Sequence, residues 1–308
     1  MSNYIRIHAM DTEVEMEGSD PIDINKIRVW FEQFEKICSR FRPDSELSYL
    51  NKQPINTVIQ IESTLYEILK LALDFAYKTE FLFNPFLGSV LKDYGYNKTF
   101  RDIQGKNIVN FDSEPMKFAW DVHEPIVFLS GMNGVIKKVK HEIDLGGIAK
   151  GFSVDKLATI LKKSGQNNGI VNAGGDLYVW GKERTIGIQH PNPKYFDKDI
   201  IQFNMRNGAV ATSNRLYRSW YLNGEPVNHI LNGKNGLSTD TDVVQATVFS
   251  SSTAEADVLA KILCMHSFDT SVQWLSEHFP LAGCIVIHQN GKVAINNKVK
   301  NYITRIVM

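Results

Sequence analysis

Ile143-Asp144-Leu145-Gly146-Gly147-Ile148-Ala149-Lys150-Gly151-Phe152-Ser153-Val154-Asp155 is the stretch that organises the rest of this chain. Glu142 and Ile143 close an extended segment, and Gly146-Gly147 let a ligand approach the backbone. Gly151 precedes an amphipathic helix. Val154, Leu157, Ala158 and Leu161 recur at helical spacing, Lys162-Lys163 supply a cationic last turn, and Gly165 ends the helix. The amide groups of the helix start and the positive end of its dipole would face whatever Gly147 and Lys150 hold, and a phosphate fits best. A plain strand-turn-helix connection is the competing account. A second glycine pair follows in Asn172-Ala173-Gly174-Gly175-Asp176.

Working outward, Gly169 to Asn172 and Leu177 to Trp180 read as strands around that second glycine turn, and Thr185 to Gln189 as another. Upstream, Ile5, Ile7 and Ala9 alternate with polar residues and Thr12, Val14 and Met16 do so more weakly, which predicts an opening strand pair with Met10-Asp11 at its turn. Ile27, Trp30, Phe31, Phe34, Cys38 and Phe41 share a helical face that begins after Asp23 or Asn25. Leu65, Ile68, Leu69, Ala72, Phe75 and Ala76 mark a second helix from Ser63 to near Lys78. Between them Phe41 to Asn51 is a polar connection.

From Phe83 to about Val135 the pattern is irregular, with mixed charge around Asp112 to Glu124. Val243 to Phe249 predicts a strand, Ser252-x-x-Glu255 a capping box opening the next helix, and Asn290-Gly291 a hairpin between Cys284–Gln289 and Lys292–Ile295. The expected class is α+β, a mixed or antiparallel central sheet with flanking helices. No repeat or linker is visible, so residues 1–308 are expected to form one domain.

Composition narrows the function. With 34 basic and 34 acidic residues the formal net charge is zero, which gives no broad electrostatic footprint for nucleic acid or an anionic membrane, so any anion must be recognised locally. Cys38, Cys264 and Cys284 lie in apolar surroundings and read as reduced core thiols. No basic segment followed by an apolar one opens the sequence and no stretch is long enough to span a bilayer, so a cytoplasmic protein is expected.

Taken together, five polar islands resemble the ApbE-type FAD:protein FMN transferases, in that family's order. They are Phe41 to Asn51; Phe83-Asn84-Pro85 with Gly88; Asp144 to Gly151 with Asp155; Asn172-x-Gly174-Gly175-Asp176; and Ala211-Thr212-Ser213 with His229-Ile230 and Ala256-Asp257. The resemblance implies a two-lobed, T-fold-like architecture. It also implies a reaction that splits FAD, joins FMN through a phosphoester to a threonine or serine hydroxyl of an acceptor protein, and releases AMP, with magnesium as helper. It assigns FAD contacts to Met10, Phe83, Asn84, Asp144, Lys150 and Ile230, and magnesium contacts to Gly147 and Asp257. His229 becomes the proton-handling candidate, with Lys150 beside the phosphates. Each also has a structural alternative: Met10 as packing, Asp144 as a cap of the glycine turn, Lys150 as a surface lysine, His229 as a satisfied structural histidine.

Five positions depart from the family pattern. Lys261 stands where a threonine or serine usually follows the metal aspartate. Asn84 replaces an aspartate, Asn214 a glycine, and the histidine loop, His229 to Gly236, lacks a proline and a threonine. Lys261 is either an ordinary partner of Asp257 one turn away or a fixed positive charge in part of the metal's place. Alternatives to transfer are FAD hydrolysis to FMN and AMP, and flavin binding without catalysis.

Overall fold

A computed structural model describes the chain apart from residues 1, 99, 104–105, 110–117, 119, 196 and 308. Most of the mixed-charge stretch beginning at Asp112 therefore lies outside the described residues. The chain forms two compact units. Residues 1–28, 150–218 and 239–308 make the first, and residues 29–149 and 219–238 the second.

The first unit is built on an eight-stranded antiparallel sheet, in which chain order and spatial order coincide for the strands it uses. Ser2–Ala9 pairs with Thr12–Ile22, followed by Gly169–Ala173, Asp176–Trp180, Gly208–Asn214, Val243–Ser250, Gly283–His288 and Val293–Ile295. The expected opening hairpin forms, with Met10 and Asp11 both at positive φ in its turn. Gly174 and Gly175 also have positive φ and join two paired strands, so both serve the hairpin turn and leave Asp176 at the head of the next strand. The Asn290-Gly291 hairpin is present as well. Every residue of Val243–Ser250 is buried, including the polar Gln245, Thr247 and Ser250, and the Thr253–Leu263 helix packs on this strand and on Gly208–Asn214.

The second unit carries the helices Glu46–Lys52 and Ser63–Lys78 and two three-stranded sheets. Ile24–Cys38 begins in the first unit and continues into the second; Asp23 Oδ1 accepts from the Asn25 and Lys26 amides at its start. The polar connection contains structure that its pattern conceals. The Ser45 hydroxyl accepts from the Ser48 amide at 3.0 Å, caps the short Glu46–Lys52 helix, and donates to the Ser39 carbonyl at 2.6 Å.

The helix of the glycine segment spans Ala149–Lys163, so Gly151 lies in its first turn instead of preceding it. Glycine is needed there for packing: a Cβ would stand 2.5 Å from the Thr253 carbonyl oxygen. The three cysteines are buried and unpaired, and burial raises each thiol's pKa, to about 12 for Cys264 and Cys284. Among the described residues no helix is long and apolar enough to cross a membrane.

Candidate active site

Two charged pairs meet in the first unit. The Lys150 ammonium, near the start of its helix, is paired with the Asp176 carboxylate at the head of its strand. One turn along the Thr253–Leu263 helix, Lys261 is paired with Asp257. Both carboxylates are buried, at 1% and 2% side-chain exposure, so each needs its cation to offset lost hydration. Burial lowers the Lys150 pKa to about 8; Asp257 opposes that shift, while Lys261 and Arg218 reinforce it. That coupling makes the four side chains a single electrostatic centre, with Arg218 as a further nearby cation. Each carboxylate retains one buried oxygen without a partner, Asp176 Oδ1 and Asp257 Oδ2.

Asp155 fixes the two helices of this centre to each other. Its carboxylate accepts from the Thr253 and Ala254 amides at 2.8 and 3.0 Å and from the Ser252 hydroxyl at 2.9 Å. Ser252 accepts from the Glu255 amide at 3.3 Å, as expected of a capping box, but Glu255 turns its carboxylate to Ser250 because Asp155 already serves this helix end. Nearby on the sheet, Asn214 explains its own departure from glycine. Its amide nitrogen donates to Gln245 and Pro191, and its oxygen accepts from the Leu216 and Tyr217 amides.

In the second unit, hydrogen bonds of amide side chains and backbone hold the loops that carry several of the other predicted residues. Asn51 clamps Ile143 from both sides, accepting its N–H at 2.7 Å and donating to its carbonyl at 2.9 Å. The Asp144 amide donates to the Pro85 carbonyl, and Gly88 lies so near Glu142 that a Cβ would stand 2.8 Å from its carbonyl oxygen. Asn84, 6% exposed, donates to the Gly233 carbonyl and accepts from the Phe86 amide, both at 2.9 Å. An aspartate there would face that carbonyl with a second acceptor, so the amide suits this loop. In place of the missing proline, Gly233 docks tightly on the Phe81 and Leu82 backbone, while Asn232 and Asn235 accept from the Lys234 and Leu237 amides.

Phe83 and Ile230 are buried, while His229, Gly147 and Met10 are partly exposed; Met10 alone of these lies in the first unit. Asp144 does cap the glycine turn, accepting from the Gly146 amide at 2.9 Å, and its other oxygen is paired with Arg40. Arg40, 3% exposed, also donates to the Tyr96 carbonyl and lies over the Phe41 and Tyr96 rings. Sequence reasoning missed Arg40, and it quoted Asp176 and Asp155 without roles. Only their places beside or within motifs could have drawn attention to them.

The magnesium assignment can be tested on these residues. Among the described residues no group of three or more His, Cys, Asp or Glu side chains could hold a metal ion. Asp257 offers one unpartnered oxygen, its charge is already balanced by Lys261, and the neighbouring Asp176 is balanced by Lys150. Two carboxylates and two ammonium groups sum to zero, so a divalent ion would meet no net negative charge. This donor set does not fit magnesium.

The centre of two buried carboxylates and two lysines is assembled from separate sequence islands, and the family model for ApbE matches residues 5–285. The chain belongs to the ApbE family. It is 25% identical over 309 residues to the FAD:protein FMN transferase of Treponema pallidum (strain Nichols), covering 94% of this chain and 82% of that protein. The FAD:protein FMN transferase of Chlamydia pneumoniae is 28% identical over 267 residues, 80% of this chain and 78% of that one. Among solved structures, the ApbE protein from Thermotoga maritima superposes with TM-score 0.79 at 23% identity, covering 98% of this chain and 99% of that chain. The flavin transferase ApbE from Vibrio cholerae gives 0.75 at 20%, over 97% and 98%. These likenesses bear out the α+β class with its large antiparallel sheet.

Proposed function

We propose that this protein is an FAD:protein FMN transferase. It cleaves FAD and attaches FMN through a phosphoester to a threonine or serine hydroxyl of an acceptor protein, releasing AMP. The observation that carries this is the centre formed by Lys150, Asp176, Asp257 and Lys261, because the third, fourth and fifth family motifs each contribute to it. The family match runs through both units, which supports treating residues 1–308 as one functional domain.

In this proposal Met10, Phe83, Asn84, Asp144, Lys150 and Ile230 contact FAD. The acceptor hydroxyl oxygen attacks the FMN phosphorus, the bond from that phosphorus to the bridging oxygen breaks, and AMP departs with the electron pair. His229 takes the hydroxyl proton. Lys150, held at Asp176, stabilises charge spreading onto the phosphate oxygens. Magnesium held by Gly147 and Asp257 is what the resemblance implies, but these residues do not fit it, and no step here passes through the ion.

Chromatography of the small-molecule products tests the reading. With FAD and a threonine-bearing acceptor, AMP should appear in equal amount to flavin bound on the acceptor, with no free FMN. FMN and AMP formed without acceptor would establish hydrolysis instead, and FAD left intact in both cases would refute transfer.

A further inference from the structure

We infer that the Lys261 ammonium is the resident cation of this active site, replacing a divalent ion. The inference deepens the transferase reading and rests on it for the identity of the phosphate substrate. Its basis is the charge balance and geometry of the centre.

Lys261 is one turn beyond Asp257 on a helix whose first amides are locked by Asp155, so its ammonium is delivered to that carboxylate by a rigid element. It is 12% exposed and its partner 2%, and a lysine so placed is more than a solvated surface cation. The ion pair occupies one oxygen of the carboxylate that a metal would need and cancels its charge. Lys150 does the same at Asp176. When a phosphoanhydride enters this charge-balanced centre, both ammonium groups are held in place by Asp176 and Asp257 to donate hydrogen bonds to its oxygens, with Arg218 close enough to influence Lys150. Those fixed cations supply the stabilisation of a spreading phosphoryl charge that a metal would otherwise provide. Lysine does this as a point charge, with no need for a coordination shell.

The inference predicts the consequence of removing the charge. Lys261→Ser would leave Asp257 buried, anionic and unpaired, beside a hydroxyl oxygen. A hard cation would then find both a charge to neutralise and oxygen ligands. Lys261→Arg retains the positive charge and should not create such a site.

Manganese binding, followed by electron paramagnetic resonance of the free ion, reads this without reference to activity. Wild type and Lys261→Arg should bind no stoichiometric manganese up to about 1 mM, whereas Lys261→Ser should bind one ion at least about tenfold more tightly. In parallel, FMN transfer by wild type should change less than about twofold when EDTA replaces magnesium, and transfer by Lys261→Ser should become dependent on the ion. One tightly bound manganese in wild type, or abolition of its transfer by EDTA, would overturn the inference while leaving the transferase reading in place. If Lys261→Ser does not fold, wild type and Lys261→Arg still decide the matter. Absence of transfer in every condition would refute the transferase reading, and the manganese measurement would still test the cation.

Discussion

The two units use opposite means to position their candidate functional residues. In the first, charge is matched against buried charge: Lys150 with Asp176, and Lys261 with Asp257. In the second, the loops are held chiefly by amide side chains and backbone, through Asn51 on Ile143, Asn84 on Gly233 and Gly88 on Glu142. Arg40 with Asp144 is the second unit's buried ionic exception, and its carboxylate has both oxygens engaged. The difference separates two tasks. Fixed charge with spare acceptor oxygens prepares a site for a charged reaction, whereas saturated neutral hydrogen bonds hold a shape.

The largest effect that would sharpen this contrast comes from the first unit. Lys150→Met should lower FMN transfer about 10²- to 10³-fold, the scale of losing one electrostatic stabiliser, with an accompanying fall in Tm because Asp176 is left unpaired. Steady-state kinetics with thermal denaturation checks both. Arg40→Leu comes next. Leaving Asp144 uncompensated should cost about 3 kcal/mol in urea unfolding, and Arg40→Lys should recover only part of it because a lysine cannot reproduce the contacts to both Asp144 and Tyr96. A loss well under about 1 kcal/mol would mean the pair is as dispensable as a surface one.

Asn84→Asp probes the neutral network with almost no change in shape. Two acceptors would face each other across the Gly233 contact, at a cost of about 2 kcal/mol at pH 7. A protonated aspartate could donate again, so this variant's deficit should shrink as pH falls, as unfolding measured across the acidic range would reveal. The smallest effect is the response of the wild type to alkali. Lys150 loses its proton as pH rises through about 8, so FAD affinity measured by fluorescence quenching should decline there. On this group's account stability moves the other way: between about 8 and its ordinary value near 10.4 the unfolded chain holds a proton that the native chain does not, so stability rises with pH. Affinity and stability moving together would contradict the placement of Lys150 at the phosphate.

Much of the fold was legible because it follows from local periodicity. The opening hairpin, the Ser63–Lys78 helix, the strands around Gly174-Gly175 and the Asn290-Gly291 turn lie where alternation and turn chemistry predicted them. The Glu46–Lys52 helix escaped notice because it is short and its start depends on one serine hydroxyl. Gly151 was misread as a residue outside its helix because its constraint comes from Thr253, a hundred positions away, and no local pattern reports it. The site was legible as islands but not as pairs. Arg40 and Asp144, and Lys150 and Asp176, are joined only by the fold. Lys261 with Asp257 was visible at once, since helical spacing alone brings them together.

The central claim is tested most directly by weighing an acceptor. Purified protein is incubated with FAD and an acceptor protein bearing the flavinylation threonine, and the acceptor's intact mass is recorded. A gain equal to one FMN phosphoester, absent when that threonine is alanine and lost with His229→Ala, is the predicted result. An unmodified acceptor after long incubation, with FAD bound and uncleaved, would contradict the account.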